Sequence, residues 1–75
     1  MARVNINQQL GLRVRELRLS HGWSQEELGA RSGIDRTYVS GVERGIRNPT
    51  ITVVAAIAGG LNVSVAELFS SETGL

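Results

Sequence analysis

Arg36, Thr37, Ser40, Gly41 and Arg44 form the stretch of this 75-residue sequence best suited to chemistry. On a helix they fall at about 0°, 100°, 40°, 140° and 80° around the axis. Val39 and Val42 fall at about 300° and 240°, and Tyr38 at about 200°. One side thus carries hydrogen-bond donors with little bulk, and the other carries apolar anchors. A helix of that kind fits the major groove of duplex DNA, where an arginine grips guanine O6 and N7 with two N–H groups. Thr37 has a hydroxyl to donate to a base acceptor and a methyl to set against a thymine methyl. Gly41 costs about 1 kcal/mol of helix propensity relative to alanine. It is either a tolerated surface glycine or room for close approach of a duplex.

Catalytic chemistry finds little support. His21 is the sole histidine, cysteine is absent, and no pair of acids has a recognisable catalytic partner. His21 sits at a helix C-terminus, where positive charge is favourable in any protein. Gly59-Gly60 lacks the spacing and the preceding strand of a phosphate-binding loop. The expectation is a protein that is not an enzyme, with no metal, no cofactor and no small-molecule substrate.

The helices that must carry these residues are marked along the whole chain, and no alternating strand pattern occurs. Leu10, Val14 and Leu17 recur at helical spacing, so a first helix is expected from about Asn7 to Leu19, closing near His21-Gly22. Ser24-Gln25-Glu26-Glu27 has the form of a capping box opening a second helix, with Leu28 inward, through about Ser32. Gly33 supplies the left-handed turn that ends it. Asp35 caps a third helix running to about Arg44, which Gly45 ends. Thr50 caps a fourth, Ile51 to about Gly60, burying Ile51, Val54, Ile57, Ala58 and Leu61. Ser64-Val65-Ala66-Glu67 is a second capping box, opening a fifth helix with Val65, Leu68 and Phe69. The fold expected is all-α: five short helices in a single domain over 1–75, with its core at about 7–69 and a frayed polar tail at 70–75. Two short helices joined by a tight glycine turn, the second and third, have the layout of a helix-turn-helix.

Charge is divided along the chain. The formal net charge is only +1, but residues 1–48 hold all eight arginines against Glu16, Glu26, Glu27, Asp35 and Glu43. Residues 49–75 hold Glu67, Glu72 and no base, and are the more apolar part. The first part suits a polyanion and the second suits burial or a partner. A solvated arginine-rich face without a ligand is the plainer alternative. No apolar run approaches the roughly 18 residues a membrane span needs, and no signal-peptide stretch opens the chain. A cytoplasmic, nucleoid-associated protein is expected.

Gly22-Trp23-Ser24-Gln25-Glu26-Glu27-Leu28, Ser32-Gly33-Ile34-Asp35-Arg36-Thr37-Tyr38-Val39-Ser40, Val42-Glu43-Arg44-Gly45 and Arg47-Asn48-Pro49 resemble the phage-repressor/Cro-type helix-turn-helix family, with its lambda-repressor-like fold. Leu61-Asn62-Val63-Ser64 with Glu67-Leu68-Phe69 resembles that family's closing helix, so the likeness covers about residues 8–69. Within the family, the segment from Asp35 to Asn48 most resembles the small controller proteins of restriction–modification systems. The resemblance implies that Arg36 and Thr37 read bases, with Ser40 and Tyr38 as flanking contacts to bases or backbone. It implies that Gln25 touches a phosphate from a helix N-terminus and that Arg44, Arg47 and Asn48 follow the DNA backbone. Arg18 and Glu43 correspond to a pairing that orients the recognition helix, with Arg18 also within reach of a phosphate. There are departures: Gly29 replaces the usual alanine and would loosen the second helix, and Trp23 replaces an aliphatic residue in the core. Gly41 replaces a larger polar reader, and Gly59-Gly60 weakens the end of the fourth helix.

Surplus apolar surface near the chain's end suggests a second copy as partner. Val53, Leu61, Val63, Val65, Leu68 and Phe69 are the candidate dimer contacts, alternatively the completion of a monomer core. A homodimeric transcriptional regulator on palindromic promoter DNA is expected, and the controller likeness implies control of its own gene and of an endonuclease gene. The alternatives are a generic phage-type repressor, or an antitoxin-like or adaptor protein whose main partner is another protein.

Overall fold

Asn5 starts the first helix in the computed structural model, which describes residues 5–70. Its side-chain oxygen accepts the free amide N–H groups of Asn7 and Gln8, both at 3.1 Å, and α1 runs Ile6–Ser20. The second helix, α2 (Gln25–Ser32), opens on Ser24, whose hydroxyl accepts from the Glu27 amide at 3.0 Å. The expected reciprocal half of that box is absent: Glu27 takes Arg31 one turn along α2, at 2.8 Å, instead of returning to Ser24. Gly33 ends α2 at φ 71°, a left-handed conformation that a side chain would strain.

The third helix, α3, spans Arg36–Glu43, with Arg44 as its C-cap and not its last turn. Asp35 occupies the N-cap but its carboxylate caps nothing; it accepts the Thr37 hydroxyl at 2.6 Å. The fourth helix, α4 (Ile51–Leu61), opens on Thr50 and closes on Asn62 at φ 63°. The fifth, α5 (Val65–Leu68), carries the full capping box between Ser64 and Glu67, with Phe69 as its C-cap. The Ser64 N–H donates to Glu67 at 2.8 Å and holds that carboxyl below its ordinary pKa. Among the described residues every regular element is helical, and the tail at 71–75 lies outside them.

Every helix contributes to one core: Leu10 and Val14 from α1, Leu28 from α2, Val39 and Val42 from α3, four residues of α4, and Leu68 from α5. Burying one such Val or Leu side chain contributes about 1.5–3 kcal/mol. Val54, Ile57, Ala58 and Leu61 are buried as expected, but Ile51 is 70% exposed, because the first residue of α4 lies beyond the edge of the core. Trp23 is half-buried against the core, stacked on His21 at 4.0 Å and covered by the Arg31 guanidinium at 4.0 Å.

Gly60 is a packing residue. A methyl group there would run into Ser32 Oγ and stand 3.2 Å from Ser32 Cβ, so the glycine is what lets α4 lie against the end of α2. That approach leaves Ser32 Oγ buried without a hydrogen-bond partner. Ser32→Ala is therefore expected to stabilise the domain by about 1 kcal/mol, since an orphaned hydroxyl is removed with little change of shape. A thermal melt should show the midpoint rising by about 4–8 °C.

Candidate nucleic-acid interface

The second and third helices are joined more tightly than their sequences alone require. The Ile34 N–H donates to the Gly29 carbonyl at 2.8 Å, and a methyl on Gly29 would run into the Ile34 carbonyl oxygen. Gly29 thus closes the turn, whereas the sequence reading had it loosening α2. On its inner side α3 is fixed by Val39 and Val42, 0% and 1% exposed. On its outer side Arg36, Thr37 and Ser40 meet Gln25 of α2 around an open depression of about 230 Å³.

Two hydroxyl and amide donors of this face are engaged. The Thr37 hydroxyl donates to Asp35, so Thr37 presents oxygen lone pairs and a methyl outward, not the free donor expected. The Gln25 side-chain amide donates to Glu43 at 3.1 Å. The arginines are not engaged in this way. Among the described residues the ion pairs are Arg13–Glu16, Arg18–Glu43 and Arg31–Glu27, and Arg36, Arg44 and Arg47 belong to none. Asn48 is exposed beside Pro49. Gly41, expected on the open face, is buried beneath the side chain of Arg47.

Behind the face lies an ionic knot. Arg18 Nε and Nη2 donate to the two carboxylate oxygens of Glu43 at 2.7 and 2.9 Å, and Nη1 donates to the Trp23 carbonyl at 2.8 Å. The two side chains are 9% and 2% exposed. The hydrogen bond from Glu43 raises the Arg18 pKa above its ordinary value, so the guanidinium stays charged in place. With its donors turned inward, Arg18 is withdrawn from the phosphate contact that the sequence reading allowed. It joins α1, the end of α3 and the residue before α2.

A further positioning residue, Gly11, was missed from sequence. A methyl there would run into the Val42 carbonyl oxygen and stand 2.6 Å from that of Glu43. Gly11 is what lets α1 touch the backbone of the last turn of α3. The signal was available: a glycine on the same inward stripe as Val14 and Arg18, costing about 1 kcal/mol of propensity in mid-helix.

The helix-turn-helix family profile matches residues 14–68, which contain α2, the turn, α3 and the knot. The chain belongs to the helix-turn-helix family. It is 44% identical over 59 residues to the HTH-type transcriptional regulator y4dJ of Sinorhizobium fredii, covering 79% of this chain and 77% of that protein. It is 38% identical over 69 residues to the control protein C.SmaI of Serratia marcescens, covering 92% and 82%. The crystal structure of the restriction-modification controller protein C.AhdI from Aeromonas hydrophila superposes with a TM-score of 0.82 at 46% identity, covering 84% of this chain and 96% of that one.

Away from the reading face, this helix-turn-helix protein distributes its apolar residues differently from the dimer set read in the sequence. Leu61 and Leu68 are 1% and 0% exposed, so they are core and are corrected out of that set. Val53, Val63, Val65 and Phe69 are partly buried against the core. The exposed apolar side chains nearby are Ile6 at 53% and Ile51 at 70%, which flank a shallow groove with Leu10, Pro49, Val54 and Phe69. Arg13 secures α5 beside it, its Nε donating to the Glu67 carbonyl at 3.1 Å. Among the described residues no helix is long and apolar enough to cross a membrane, and no cluster of His, Cys, Asp or Glu is placed to hold a metal.

Proposed function

We propose that this chain is a sequence-specific transcriptional regulator that seats α3 in the major groove of duplex DNA. The observation that carries the reading is the outer face of α2 and α3, where Gln25, Arg36, Thr37 and Ser40 share one open depression beside arginines that no acid neutralises. In this reading Arg36, Thr37 and Ser40 meet base edges, while Gln25, Arg44, Arg47 and Asn48 meet the sugar–phosphate backbone. Arg18 and Glu43 hold α3 at its angle. Likeness to control proteins supports a restriction–modification controller acting in the cytoplasm on its own gene and on an endonuclease gene.

The working unit in this proposal is a homodimer on a palindrome. A single eight-residue recognition helix reads few base pairs, and two-fold pairing joins half-sites about 34–36 Å apart. The groove at Ile6, Ile51 and Phe69, with Val53 and Val65, supplies the surface for the second copy. Enrichment of random duplexes on the purified protein tests the whole proposal, the expected product being a two-fold symmetric site. An asymmetric site, or sedimentation as a monomer with the enriched duplex bound, overturns the dimer; no enrichment overturns the DNA-binding reading.

Reader and backbone contact are separable. Arg36→Ala is expected to cost about 1–3 kcal/mol and to relax discrimination at one base pair in each half-site. Arg47→Ala is expected to weaken cognate and random duplexes alike and to lower the salt slope by about 1 per half-site. Binding isotherms at several salt concentrations check both. Equal effects of both variants on cognate and random DNA would refute the assignment of roles.

A further inference from the structure

Arg47 follows α3 in sequence, yet its side chain folds back across that helix. Its stem crosses Gly41, where a methyl would stand 2.6 Å from Arg47 Cγ and 3.1 Å from Nε. Its guanidinium carbon lies 5.0 Å from the centroid of the Tyr38 ring. Tyr38 and Gly41 are three residues apart and so are neighbours on one flank of α3. The loop between them and Arg47 is tied as well, the Ile46 N–H donating to the Gly41 carbonyl at 3.0 Å.

We propose that Tyr38 and Gly41 are positioning residues that aim Arg47 at the DNA backbone, and that Tyr38 does not read a base. The inference rests on the DNA-binding reading above. Tyr38 is suited to the task because its ring is packed against the core and gives a fixed platform. A guanidinium stacked by its planar face keeps its N–H donors in the plane, free to bond a phosphate at the edge. Gly41 supplies the trough for the stem. Its glycine is thereby explained by a side chain of the same protein, with no need for a duplex to approach that closely.

A reader and a positioning residue change different observables. In the free full-length chain, NMR should find the Arg47 side-chain resonances displaced by the Tyr38 ring current. The displacement should vanish in Tyr38→Ala, persist in Tyr38→Phe and change in Gly41→Ala. On DNA, Tyr38→Ala should weaken cognate and random duplexes alike, by about 2- to 5-fold per half-site. Tyr38→Phe should bind as wild type, and Tyr38→Ala should add nothing to the loss caused by Arg47→Ala. Three results each overturn the inference: Tyr38→Phe as damaged as Tyr38→Ala, discrimination altered at one base pair, or losses that add in full. If wild type binds DNA and Tyr38→Ala binds equally well, the inference falls and the DNA-binding reading stands. A wild-type chain that binds no duplex overturns both.

Discussion

Glu43→Ala is expected to cost about 3–5 kcal/mol of folding stability, because it strands the charged Arg18 guanidinium in the interior. A 75-residue domain has a total stability of only about 4–11 kcal/mol, so the variant should be largely unfolded well below the wild-type melting temperature. The penalty belongs to the orphaned charge more than to the lost bond. Arg18→Met combined with Glu43→Leu should therefore recover much of the stability, since replacing a buried pair by apolar groups of similar size is often neutral or better. DNA binding should not return with it, because the bonds from Arg18 to Trp23 and from Gln25 to Glu43 are gone in the double variant. Urea melts and binding isotherms on the same samples check both halves. A Glu43→Ala variant as stable as wild type would mean that the pair is not buried in solution.

The second large effect is expected at Gly11, where Gly11→Val should destabilise by about 3 kcal/mol. The obstacles to any side chain there are the carbonyl oxygens of Val42 and Glu43, which belong to the backbone and cannot swing aside. Gly59→Ala is the matched control: a methyl there meets nothing within 4 Å, and the gain should be about 1 kcal/mol from helix propensity. Thermal unfolding of the two variants should shift the midpoint in opposite directions. If Gly11→Val were tolerated, α1 and the last turn of α3 would have to stand further apart in solution.

The helices themselves were readable from local chemistry. Asn62, Ser64 and Thr50 act through residues within three positions of themselves, and Leu10, Val14 and Val54 declare a face by their spacing. The tertiary role of a glycine is not local in this way. Gly11, Gly29 and Gly41 are each explained by a group that approaches from elsewhere: the end of α3, the Ile34 carbonyl and the stem of Arg47. A missing side chain carries no pattern that says what fills its place. The polar partners show the same limit. Glu27 fitted a capping box but met Arg31, and Asp35 fitted an N-cap but met Thr37, because two acceptable local partners differ only in the final geometry. Ile51 misled for a related reason: helical spacing aligns it with Val54 and Ile57, yet a stripe says nothing of where the core beneath it stops.

The knot of Arg18, Glu43 and Gln25 has a consequence for the kinetics of any encounter. The angle between α1, α2 and α3 is settled when the chain folds, so landing on a duplex requires no rearrangement of the scaffold, and the ordering cost of docking is confined to surface side chains. A rigid probe of this kind samples successive positions along a polyanion without refolding at each, and it distinguishes them by how long it stays and not by how often it arrives.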